Sequence, residues 1–106
     1  MSEQNAVAEN KYVLLRPIVF EENEIKELII DFESLDGDDL IAADRVAAVT
    51  FQGSYVPGAF RQGNPIFQAC VVARAANVHV DVIRKLKVQD FTELTLKAQN
   101  FLLGLG

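Results

Sequence analysis

Reactive side chains are what this sequence has least of. Its 106 residues hold one cysteine, one histidine and no tryptophan. A single thiol, Cys70, excludes an internal disulfide, and one Cys with one His cannot complete a structural zinc site. Cys70 lies in the apolar run ACVV with no cationic neighbour to lower its pKa, so it is expected as a small buried core residue. His79 stands between Val78 and Val80 at a helix boundary, without a serine or cysteine near it in sequence. It is expected to cap or cover the helix end rather than act as a general base. Gly53, Gly58 and Gly63 recur every five residues, but no Lys-Ser or Lys-Thr follows as in a phosphate loop. The run Asp36-Gly37-Asp38-Asp39 lacks the closing glutamate of a calcium loop. The expectation is a non-enzyme with no catalytic residue, cofactor or metal.

Long hydrophobic runs and basic charge are also scarce. No apolar stretch approaches the roughly 20 residues of a membrane span. The acidic, polar opening MSEQNAVAEN is not a signal peptide, and the lone thiol suits a reducing compartment, so a cytosolic protein is expected. Ten Lys/Arg against fifteen Asp/Glu give a formal net charge of −5, which disfavours nucleic acid. Arg74, Arg84, Lys85, Lys87 and Lys97 gather in the second half, where a solvated helix face accounts for them. The balance is uneven. Residues 1–50 carry twelve Asp/Glu and four Lys/Arg, whereas residues 51–106 carry three and six. Two differently charged faces of one domain would result, or head-to-tail self-association.

What is present is core material. Half the residues are hydrophobic, with seven Phe and two Tyr, enough for one domain and one core. Residues 1–10 show no periodicity and read as a flexible N-terminus, leaving residues 11–106 as a single domain. The run KYVLLRPIVF favours a strand, with Pro17 marking an edge or a bulge. After the polar turn Glu21 to Glu24, Leu28, Ile30 and Phe32 alternate with Glu27, Ile29 and Asp31. That alternation favours a hairpin, although Ile25, Leu28, Ile29 and Phe32 also fit a helical stripe.

From Ser34 the pattern becomes helical. Asp36 is an N-cap for a helix through Leu40, Ala43 and Ala47. The loop QGSYVPGAFRQG follows, whose Tyr55, Val56 and Phe60 either fold back on the core or form a patch for a partner. Asn64-Pro65 opens the apolar helix PIFQACVVARAA, central to the domain or turned partly to another subunit, and Asn77 ends it. A short helix at Val80 to Leu86 leads to a terminal helix with Phe91, Leu94, Ala98, Phe101 and Leu102 on one stripe. Asp90, with Glu93 three residues on, reads as its N-terminal cap, and Gly104 as its end. The fold class is therefore α+β and mostly helical: a β-hairpin at residues 12–32, then four helices. Leu40, Ala47, Ile66, Val72, Leu86, Phe91 and Leu94 are the expected core.

The ordered set of motifs resembles the tail assembly chaperones of long-tailed bacteriophages, in the subgroup of P2-like and Mu-like phages and prophages. The matching pieces are LLRPI at Leu14 to Ile18, an apolar hairpin-like segment, and Leu35, Gly37, Asp39 and Leu40 leading into a helix. An Ala-rich helix at Ala69 to Ala76 follows, then Leu86, Asp90 and Phe91, and finally Phe101-Leu102, so that residues 11–103 are covered. The resemblance implies a non-enzymatic protein of the bacterial host cytoplasm. It would form homo-oligomers and coat the tape-measure protein, a long helical chain, until tube subunits polymerise around it. The acidic net charge and the lack of a long apolar stretch give the further expectation of no nucleic-acid and no membrane partner. The alternative is a small structural or head–tail connector subunit of a phage tail, and a compact transcriptional regulator ranks third. Apolar side chains left over from the core are the expected partner-binding residues: Tyr55, Phe60, Phe101, Leu102 and Leu103.

Overall fold

Between Lys11 and Ile29 the chain is dominated by Tyr, Val, Leu, Ile and Phe, which suit a pleated, half-buried surface. In the computed structural model, which describes residues 10–58 and 61–105, they form an antiparallel hairpin of β1 (Lys11–Phe20) and β2 (Asn23–Ile29). The strand reading of the ambiguous segment is correct as far as Ile29, and a 3-10 turn at Phe32–Ser34 follows. Of the expected flexible terminus, residues 1–9 lie outside the described residues.

Glu21 and Glu22 form the hairpin turn with φ of 50° and 71°. Positive φ at both central residues is the type I′ geometry, whose twist matches that of the strands. Pairing is regular from Lys11 to Val13 and from Ile18 to Phe20. Between these stretches Leu14, Leu15, Arg16 and Pro17 stand opposite Lys26 alone. Pro17 has no N–H to give a ladder, so the irregularity falls where the sequence tolerates it.

Four α-helices follow among the described residues: α1 (Gly37–Thr50), α2 (Pro65–Ala76), α3 (Val80–Lys85) and α4 (Val88–Leu102). Their ends are set by local chemistry. The Asp36 carboxylate accepts from the Asp39 N–H while Asp39 accepts from the Asp36 N–H, a reciprocal cap on α1. Asn64 accepts from the N–H groups of Ile66 and Phe67, with Pro65 as the first helical residue. Asn77, at φ 56°, closes α2, and the Val78 N–H donates back to the Ala73 carbonyl. His79 Nδ1 accepts from the Asp81 N–H at the start of α3. Gly104, at φ 74°, ends α4 with its N–H on the Phe101 carbonyl.

One helix start differs from the expectation. α4 begins at Val88, and Lys87 precedes it without a side-chain cap. Asp90 is therefore already inside the first turn and does not cap the helix.

α2 is the central element. Its Phe67, Cys70, Val71 and Val72 are buried against α1 on one side and α4 on another, with α3 packed across it. The hairpin adds Leu14, Ile18, Leu28 and Ile30 from its inner face, and the Asp31 N–H ties it to the Ala75 carbonyl. Arg74 pairs with Asp39 at 2.8 Å, joining α2 to the first turn of α1. Of the expected core, Ala47, Val72, Leu86 and Leu94 are buried, while Leu40, Ile66 and Phe91 are half-buried at its margin.

Candidate functional site

The seam between β1 and α4 holds the polar centre of the molecule. Asp90 is fully buried there. Its carboxylate accepts from the Leu15 N–H at 3.0 Å, the Arg16 N–H at 3.1 Å and the Tyr12 hydroxyl at 2.8 Å. The two N–H groups belong to the stretch of β1 that has lost its regular partners on β2. Asp90 thus satisfies donors that the irregular pairing frees, and this long-range demand displaces the local cap read from the sequence. Burial pushes the carboxyl upward, but the three hydrogen bonds outweigh it and the net shift is downward. Burial pushes Tyr12 up to about 12, helped by its bond to Asp90 and by the negative charges of Asp90 and Glu93.

Two depressions open along the same seam, with Tyr12 lining both. One is a cleft of about 380 Å³ among Lys11, Tyr12, Ile30, Phe32, Lys97 and Phe101, between the base of the hairpin and the second half of α4. Phe32 and Phe101 stack in it with ring centres 5.3 Å apart. The other is broader and more open, among Tyr12, Val13, Leu15, Val88, Gln89 and Thr92.

The partner-binding residues expected from the sequence separate. Tyr55 is buried and donates its hydroxyl to Asp44 at 2.5 Å, so it folds back on the domain and is withdrawn as a contact residue. The Gly58 N–H reaches the same carboxylate, which anchors the loop. Phe60 lies outside the described residues. Phe101 and Leu102 are half-buried, Phe101 in the cleft and Leu102 against the core, while Leu103 beside them is exposed. Sequence reasoning missed the outer face of the hairpin, where Val13, Leu15 and Val19 point to solvent. The signal was apolar residues at both parities of KYVLLRPIVF, Leu14 and Ile18 on one face and Val13, Leu15 and Val19 on the other, where a strand buried on one face needs only the first set.

Among the described residues no group of three or more His, Cys, Asp and Glu converges as a metal site would require. No helix of the described residues is long and apolar enough to cross a membrane. Comparison with protein-family models, with curated proteins and with solved structures finds no match for this chain.

Proposed function

We propose that this chain is a tail assembly chaperone of a long-tailed phage or prophage. In this reading it binds the tape-measure protein in the host cytoplasm and keeps it soluble until the tail tube polymerises around it. The supporting sequence feature is the ordered motif set over residues 11–103. The observation that carries the reading is the cleft over Phe32 and Phe101, about 380 Å³ and open to solvent, with exposed Leu103 beyond the end of the helix that lines it. A long amphipathic rod presents apolar side chains once or twice per turn and aggregates unless they are covered. A small cleft that accepts such side chains, used by many copies, gives a grip that can be released.

The test is co-expression with a tape-measure chain from a long-tailed phage. The tape-measure chain is expected in the soluble fraction only when this protein is present. Leu103→Ser should reduce its retention while leaving the thermal melt of this protein within about 2 °C of the parent, since Leu103 is exposed. Tape-measure solubility indifferent to this chain would overturn the proposal. Recovery of the chain in purified tails would make it a structural subunit instead.

A further inference from the structure

Among the described residues no element covers the outer face of β1 in the hairpin. Val13, Leu15 and Val19 on β1 are 62%, 70% and 66% exposed, although the inner face of the same strand is buried core. An antiparallel sheet with one solvated face ordinarily carries polar residues there. Val88, 79% exposed at the start of α4, borders the same depression as Val13 and Leu15 and extends the apolar surface across the seam. On β2 the same face carries Glu27 opposite Val13 and Glu24 opposite Val19, so the apolar surface is a strip along β1 and onto Val88, and an uncovered apolar strip of this kind marks a contact site.

The charges around it identify the partner. At the hairpin tip, just beyond Val19, Glu21 and Glu22 are exposed and enter no ion pair among the described residues. Close in sequence to Leu15 and Val88, the exposed side chains of Arg16, Lys85 and Lys87 likewise enter none among the described residues. The acidic members nearest the middle of the hairpin, Glu24 and Glu27, are already matched by Lys26 and Lys11. The patch therefore has one acidic and one basic margin, each uncompensated. A partner of single sign would leave one margin facing like charge, whereas a second copy of this chain supplies both complements at once.

We propose that two copies of this chain pair through the outer face of the hairpin. Val13, Leu15, Val19 and Val88 form the apolar centre, and the Glu21-Glu22 tip of each copy meets Arg16, Lys85 and Lys87 of the other. Because the same patch serves on both sides, the pair is closed by a two-fold axis and does not grow. The apolar centre is small beside the roughly 800 Å² per partner of a standard interface, so the pair is reversible and weakens with salt. Val13, Leu15, Val19 and Val88 do not line the Phe32–Phe101 cleft, and the inference does not depend on the chaperone reading.

Sedimentation velocity on the full chain across a concentration series tests it. A reversible monomer–dimer equilibrium is expected, with dissociation about tenfold easier when salt rises from about 0.05 M to about 0.5 M. Leu15→Ser should give monomer with an unchanged melt. The double variants Glu21→Lys with Glu22→Lys, and Lys85→Glu with Lys87→Glu, should each be monomeric alone and form a two-chain species when mixed. That mixing result separates a specific pair from general loss of solubility or fold. Monomer at every concentration for the parent chain overturns the proposal. So does a dimer indifferent to Leu15→Ser and to both charge reversals, or assembly that grows beyond two chains.

Discussion

Asp90 is the side chain through which the two ends of the chain are joined. Its acceptors serve Tyr12, Leu15 and Arg16, 74 to 78 positions away in sequence. Nothing in a sequence window advertises such a bond, whereas the spacing to Glu93 advertises a cap. The local pattern is the wrong one here because the freed N–H groups of β1 take the Asp90 carboxylate as their acceptor. Removing the carboxylate should therefore cost more than a cap does. Asp90→Ala is expected to lower unfolding free energy in urea by roughly 2–4 kcal/mol, since it strands three donors. Asp90→Asn should also be damaging, by roughly 1–3 kcal/mol, because its amide nitrogen faces a donor. A harmless Asp90→Asn would restore the cap reading. Tyr12→Phe should cost about 1–2 kcal/mol, and Asp90→Ala should cost less in that background because the two share a bond. The pH dependence has two limbs. Asp90 is held below the usual carboxylate range, so its contribution is complete above the unfolded value near pH 4 and is lost as pH falls through the lower folded value. Tyr12 is raised to about 12, so its contribution is complete below pH 10 and is lost as pH climbs from about 10 to about 12. Unfolding curves for Tyr12→Phe should show a flatter alkaline limb than the parent.

Elements were legible where their boundaries are local. Asp36, Asn64, Asn77 and Gly104 act on backbone groups within a few residues of themselves, and each stands where its side chain or its conformational tolerance indicates. The hairpin was legible as a pair of strands, and Pro17 did mark an irregularity. Its register was not, because four residues of β1 against Lys26 become possible only once Asp90 arrives from the other end of the chain. The turn itself departs from its own preference. Two glutamates sit at positive φ where Asn-Gly is favoured, and their adjacent charges repel. A left-handed residue other than Gly costs roughly 1–2 kcal/mol. Replacing Glu21-Glu22 by Asn-Gly should raise stability by about 1–2 kcal/mol without changing the strand register, measured by thermal melt and by the pattern of protected amides. A neutral or lower melt would show that the acidic tip is not strained in the isolated chain. If the tip serves the proposed pairing, the same variant should be more stable and less associated.

For the molecule as a whole, the shift from strand to helix patterning at Ser34 set the fold class, since periodicity is a local property of the chain. Which apolar residues remain uncovered could not be read the same way. Tyr55 lies in a Gly/Pro-rich loop yet is buried on Asp44, while Val13 lies in a strand yet faces solvent. Exposure is decided by where elements dock, and docking here is organised around α2. Cys70 is buried in the middle of that helix, where burial pushes the thiol up to about 11. Every other major element packs on α2, and although Cys70 borders a shallow depression with Ala43, Val46 and Val80 it is only 3% exposed, so reaching its thiol requires the packing around it to open. Thiol labelling at pH 8 should accordingly be slower than for a free cysteine by a factor on the order of 10³ or more. It should accelerate in urea in parallel with loss of helical circular dichroism. The Asp90→Ala variant should label faster by the factor that its lost stability implies, because detaching the β1–α4 seam lowers the barrier to the same opening. Fast labelling of the native parent would instead mean that α2 is reached through a local opening, and that the domain is not one cooperative unit.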